Sequence, residues 1–296
     1  MMSALMLPLL PLLASLLPMA LVLAVLLLAR HRDRRQGRRS PLSDKLWNGP
    51  GQQLRRELAK SDESLDTVLL ISVFSGPLLL ATWALSRMDW STFRFGIAEC
   101  VYASAFVGVM LWAARKSVRL RARRLRLREG LKGELMTAQL LMPLAGKGCQ
   151  VFHDIPADNF NLDHVVMGPY AVFMVETKSR KKSGKGRQSA QVGYDGKTLH
   201  FPDYANTKAV EQARHEARWL ADFLRQAAGE PVPVVPVVAL PGWFVNYSGD
   251  AHRAEVVVLN PKMHSAFMEK RGGTQLSESL RTRISYALTQ RYPVPN

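Results

Sequence analysis

The chain has 296 residues, 47% of them apolar, with 40 Lys and Arg against 24 Asp and Glu and only two cysteines. A disulfide scaffold is excluded, because Cys100 and Cys149 can form at most one bridge. Disorder along the whole chain is excluded too, since this apolar fraction is ample for a core.

The apolar residues are concentrated early. Nothing before Arg30 is charged, residues 67–86 form a second uncharged run, and residues 95–114 form a third, broken only by Glu99. At about 1.5 Å per residue each run can cross a hydrocarbon layer of about 30 Å. We read three transmembrane helices: one in 1–29, and two in 66–114 joined by a short external loop at 87–94. The first lacks a basic start and a small-x-small site before Arg30, which makes it an anchor rather than a cleaved signal peptide. Residues 30–65 carry 10 Lys and Arg and residues 115–132 carry 9, whereas 87–94 carry two. The basic flanks should be cytoplasmic. That places the N-terminus outside, 30–65 as a basic cytoplasmic loop, 115–130 as a basic juxtamembrane helix, and all that follows inside a multi-pass protein of the cytoplasmic (inner) membrane. Of the net charge of +16, the two flanks hold +5 and +8. Attraction to anionic lipid, about 1 kcal/mol per basic side chain near the surface, accounts for that excess without nucleic acid.

Residues 131–296 read as one soluble domain. A short helix over 135–144 ends at Gly146 and Gly148. Strands over 162–167 and 171–178 form a hairpin about Gly168-Pro169-Tyr170. A basic loop fills 179–186, and a turn at 194–197 leads to a short strand over 198–201. Val210, Ala213, Ala217, Leu220 and Leu224 recur at helical spacing and predict a helix over 207–227. Buried strands at 234–240 and 255–259 and a closing helix over 276–291 complete an α/β order, a mixed sheet flanked by helices.

The hairpin carries the chemistry. With Gly168 opposite Ala171, Asp163 stands opposite Glu176 on one sheet face, Cβ atoms about 5 Å apart. Alternation puts Lys178 on the same face. Opposed like charges destabilise a sheet unless something positive lies between them, and Mg²⁺ or Mn²⁺ takes such oxygen ligands. A metal there polarises a phosphate and supplies hydroxide, while an ammonium stabilises the developing charge. The alternative is a solvated, charged face. The apolar run Val172-Phe173-Met174-Val175, leading directly into Glu176-Thr177-Lys178, argues for the end of a buried strand instead.

Gly133-Glu134 on a helix, Phe152-His153-Asp154, Leu162-Asp163-His164-Val165-Val166, Val175-Glu176-Thr177-Lys178 and a later Gln212 together resemble the nuclease-related domain, NERD, of the PD-(D/E)XK nuclease superfamily. The resemblance covers a motif core at about 131–244. It implies a restriction-endonuclease-like fold, with Asp163, Glu176 and the Thr177 carbonyl as metal ligands and Lys178 as catalytic lysine. Glu134 and Gln212 would be accessory catalytic residues. The chain departs from the family pattern after Lys178, where six of ten residues from Lys178 to Arg187 are Lys or Arg. Arg180, Lys181, Lys182, Lys185 and Arg187 are therefore expected to track a nucleic-acid backbone without reading sequence. His164 alternates to the face opposite Asp163 and reads as a packed or surface histidine. Trp243-Phe244, after Pro241-Gly242, reads as a strand-end core aromatic pair, with base stacking as the alternative.

The expected function is Mg²⁺-dependent hydrolysis of nucleic acid, DNA in the first instance, by a membrane-anchored protein whose basic flanks meet anionic lipid. The alternative is a catalytically inactive membrane-tethered module that binds nucleic acid or protein.

Overall fold

The computed structural model describes residues 28, 48–86, 96–182, 190–270 and 273–292. The first apolar run, apart from Leu28, lies outside the described residues, as do the 87–94 loop, Lys185 and Arg187. The chain divides into two compact units, one containing residues 59–124 and the other containing 48–58 together with the chain from Leu125 onward.

Two long helices run through the first unit: α1 (Gln52–Ser86) and α2 (Ile97–Leu141). Helix α1 starts well inside the stretch read as a loop. The segment from Gln52 to Leu65 holds Leu54, Leu58 and Leu65 among Gln, Arg, Glu, Ala and Lys, all strong helix formers whose charge density hid the period. Helix α2 joins the third apolar run, the basic segment and the helix expected at 135–144 into one element. No proline interrupts it, and single glycines are tolerated inside a helix. It ends where Pro143 enters a 3₁₀ turn (Met142–Lys147), capped by Gly148 at φ +80°.

Within the first unit Val68, Ala113 and Leu120 bury one another beside Leu65. Leu69, Leu70, Ile71, Val73, Leu78 and Leu80 of α1 are exposed, as are Val101, Phe106, Val107 and Leu111 of α2. Ser72 and Thr82 donate their hydroxyls back to the carbonyls of Val68 and Leu78, so these polar groups are satisfied inside the helix. Among the described residues one helix, over Gln52–Leu80, is long and apolar enough to cross a membrane. Three such helices are not shown.

The second unit holds two sheets. The larger has five strands in the order β1 (Gln150–Pro156), β2 (Asn161–Met167), β3 (Val172–Thr177), β7 (Val234–Ala239) and β9 (Val257–Leu259). The smaller has the order β6 (Ala205–Asn206), β5 (Leu199–His200), β4 (Gln191–Tyr194) and β8 (Phe244–Tyr247). Strands β1, β2 and β3 are antiparallel neighbours, while β3, β7 and β9 run parallel. The return from β3 to β7 passes through α3 (Lys208–Ala228), and α4 (Glu278–Gln290) closes the chain. The sheet is mixed and helix-flanked, as the sequence predicts, and such a fold fits a nuclease-like domain. Strands β1, β4, β6 and β8 are additions: each is short, or interrupted by charge, and takes its strand state from the neighbour it pairs with.

The hairpin register holds. Met167 pairs with Val172 and His164 with Val175, with the Gly168 N–H donating to the Ala171 carbonyl at 2.9 Å. Alternation then divides two cores. Val165, Met167, Val172 and Met174 face the α3 side, and Val166, Phe173 and Val175 face the side of Leu141, Leu144 and Phe267. Asp163, Glu176 and Lys178 continue the first set, which directs them toward α3.

Candidate active site

At the end of β3 the apolar strand delivers three polar residues in succession. Glu176 is 4% exposed, Thr177 8%, and the Lys178 side chain is partly exposed. The Thr177 N–H donates to Asp163 Oδ2 at 2.8 Å, which turns the Asp163 carboxylate toward β3. The ladder between β2 and β3 stops at His164, so Asp163 lies just past the last paired position. On the other side Asp154 stands opposite Asp163 with a left-handed backbone, φ +49°, and the β1–β2 ladder skips both residues. A non-glycine residue in that conformation is strained, and strain of this kind gathers at functional sites. The Asp154 carboxylate is held by Asn161 Nδ2 at 3.0 Å, and its carbonyl accepts from Asn48 Nδ2 at 3.0 Å.

Helix α3 closes the site from above. Its apolar stripe Val210, Ala213, Ala217, Leu220 and Leu224 is buried against the sheet. Gln212 and Glu216, four residues apart on one face, look onto the carboxylates. Lys178 Nζ donates to Glu176 Oε1 at 2.5 Å and to Gln212 Oε1 at 2.8 Å, and Gln212 Nε2 donates to Glu216 Oε1 at 2.8 Å. The four side chains form an open chain of hydrogen bonds, Glu176–Lys178–Gln212–Glu216, which fixes the Gln212 amide with its oxygen on the ammonium. Glu216 escaped the sequence reading, although the spacing Gln212-x-x-x-Glu216 on a helix was available to find it.

Glu134, 8% exposed, comes from the last turns of α2. Beside it Gly133 leaves room for the chain leaving β3: a Cβ there would lie 2.5 Å from Ser179 Cβ. The structure therefore brings together Glu134, Asp163, Glu176, Thr177, Lys178 and Gln212, and adds Glu216 and Asp154. Arg180, Lys181 and Lys182 are exposed on the chain directly beyond Lys178.

So many carboxylates in one place repel. Burial raises Glu134 to about 7, helped by the charges of Asp154 and Glu176. Burial likewise raises Asp163 well above the usual carboxylate range, with Glu176 and Glu134 adding to it. Glu216 is pushed up to about 8, first by burial and then by Glu176. Burial disfavours the Lys178 ammonium, but Glu176, Asp163 and Glu216 outweigh it and its pKa is raised. One ammonium cannot balance this charge, and a hard divalent cation can. The donors suit one: all are oxygens, and Glu216 Oε2 and Thr177 Oγ1 are buried without a hydrogen-bond partner. Among the described residues no three His, Cys, Asp or Glu side chains converge on a single metal position.

His164, fully buried, points to the opposite face, with its Nδ1 2.8 Å from His153 Nδ1. Burial lowers its pKa to about 3, so it is a neutral core residue. Trp243 is buried, and Phe244 beside it is exposed.

Comparison with protein families matches residues 129–241 to the nuclease-related domain, NERD. No curated protein and no solved structure matches the chain. The matched span runs from the last turns of α2 to the loop after β7 and encloses Glu176, Lys178, Gln212 and Glu216. Over residues 129–241 this chain is similar to the nuclease-related domain.

Proposed function

We propose that the chain is a membrane-anchored nuclease, of restriction-endonuclease-like PD-(D/E)XK type, that hydrolyses phosphodiester bonds of DNA with Mg²⁺ or Mn²⁺. The observation that carries this reading is the convergence of Asp163, Glu176 and Lys178 on one sheet face beneath Gln212 and Glu216. Asp163, Glu176 and the Thr177 carbonyl would hold the metal, which when bound supplies an activated water and neutralises phosphate charge. Lys178, kept protonated by its carboxylates, stabilises charge on the attacked phosphate. Gln212 holds that ammonium in place, and Glu134 acts as accessory acid from the side of α2. The exposed Arg180, Lys181 and Lys182 guide the backbone toward Lys178, with Lys185 and Arg187 continuing the same basic loop.

Three spans with an external N-terminus agree with the basic flanks and with the apolar side chains exposed along α1 and α2. In that topology the nuclease-related domain is cytoplasmic, and residues 115–132 meet anionic lipid.

The test is nicking of supercoiled plasmid by the full chain in detergent micelles with Mg²⁺ or Mn²⁺. Asp163→Asn and Lys178→Ala should each abolish it. Asp163→Asn should also remove the rise in melting temperature produced by the metal alone. Undiminished cleavage in both variants would overturn the assignment. DNA binding by a folded, metal-responsive chain that never nicks would establish the inactive binding module instead.

A further inference from the structure

Beyond Lys178 the chain ends on an aromatic column. Trp243, 1% exposed, sits edge-on to Phe201, ring centroids 5.0 Å apart at 83°. Phe201 stacks flat on Tyr204 at 4.8 Å and 3°. Over Tyr204 lies the guanidinium of Arg180, its Cζ 3.7 Å from the ring centroid. The column thus runs from the core to an exposed cation. Its middle is fixed by a turn in which the Phe201 N–H donates to the Tyr204 carbonyl at 2.9 Å.

We propose that Arg180 is a preset clamp for a backbone phosphate of the nucleic acid, oriented by Tyr204 and anchored through Phe201 and Trp243. The proposal rests on the nucleic-acid reading above and sharpens it to a contact mode. A guanidinium held over a ring through its carbon keeps its N–H donors free to form the fork that suits a phosphate. No carboxylate is bonded to it among the described residues. At an exposed site a cation–π contact returns no more than the freezing of a long side chain costs, so stability does not explain the arrangement. Preorganisation for a ligand does.

Position supports the same conclusion. Ser179, between the clamp and the catalytic lysine, packs against Gly133, so the chain cannot swing freely. Two residues of extended chain span at most about 7 Å, which keeps Arg180 within reach of a phosphate beside the one at Lys178. Tyr204 already stacks on Phe201 and carries Arg180 over its ring. A contact made by the guanidinium to a backbone phosphate serves duplex and single strand alike.

The experiment measures binding of a 16-base-pair DNA duplex and of the single strand dT16 by the full chain in detergent. It uses the Asp163→Asn background, so that the strand stays uncut, across a salt series. Arg180→Ala should weaken both probes several-fold and reduce the duplex salt slope by about 0.9, the loss of one phosphate contact. Tyr204→Ala should weaken both several-fold while the charge, and so most of the slope, remains. Tyr204→Phe should match the parent, and Arg180→Lys should resemble Tyr204→Ala. Parent-like binding by both Arg180→Ala and Tyr204→Ala would overturn the clamp alone. A Tyr204→Ala effect confined to dT16 would overturn it in favour of base stacking. If the parent binds neither probe, or binds only anionic lipid vesicles added in competition, the clamp falls together with the nucleic-acid reading.

Discussion

At the scale of single residues the site is held by opposing demands. The carboxyl of Glu216 gives the Gln212 amide a partner for its N–H₂ group, and thereby turns the amide oxygen toward Lys178. Glu216→Gln preserves that geometry, because a glutamine oxygen accepts from the Gln212 amide as the carboxylate does. Glu216→Ala leaves buried groups unpaired and should cost about 1–3 kcal/mol in urea unfolding, with activity falling as the Gln212 amide loses its orientation. Similar loss in the two variants would show that the negative charge, and not the hydrogen bond to Gln212, is what matters. The raised acids also fix the sign of a pH effect. An acid whose pKa is higher in the fold stabilises it fully below the unfolded value, and that contribution is lost as pH rises, through about 7 for Glu134 and about 8 for Glu216. The melting temperature in metal chelator should therefore fall between pH 5 and pH 8. Mg²⁺ or Mn²⁺ should recover it at pH 8, and Glu216→Gln should flatten the fall. A pH-independent melting temperature in the parent would contradict the electrostatics described here.

At the scale of elements, the site depends on chain far from the hairpin. The first turn of α1 packs beside the end of α2: Gly51, at φ +71°, would place a Cβ 2.3 Å from Leu131 Cδ1 and 3.4 Å from Glu134 Oε2. Asn48, just before it, bonds the Asp154 carbonyl. Residues 48–58 are thus part of the compact unit that carries the site, although they lie outside residues 129–241. Gly51→Ala meets both a forbidden conformation and a collision, and should destabilise this unit by more than about 1 kcal/mol. A fragment that starts at Arg128 lacks the whole segment and should melt below the full chain's domain. Equal melting would show that the segment contributes no stability. Gly133 has the corresponding role at the other edge, where only a glycine lets Ser179 pass close to α2.

At the scale of the molecule, apolar side chains are exposed along α1 and α2, and the membrane-anchored reading proposed above places them against lipid. The full chain should remain in the membrane pellet after alkaline carbonate extraction and be released by detergent; release by carbonate would place it on the membrane surface rather than within it. The sequence by itself determined the hairpin register, the shared face of Asp163, Glu176 and Lys178, and helices α3 and α4. Those follow from alternation and helical period, which are local and survive in one dimension. The likeness to the nuclease-related domain was legible for the same reason, since its motifs sit on short contiguous stretches. Only the tertiary structure decided the rest. Strands β1, β4, β6 and β8 exist because a neighbour supplies their hydrogen bonds. The continuity of α2 across apolar and basic segments overrides the change in composition that suggested separate pieces. Gln212 reaches Lys178, Asn48 reaches Asp154, and Tyr204 reaches Arg180 only after folding. These contacts join residues distant in sequence, and no local periodicity records which distant partner a polar side chain will meet.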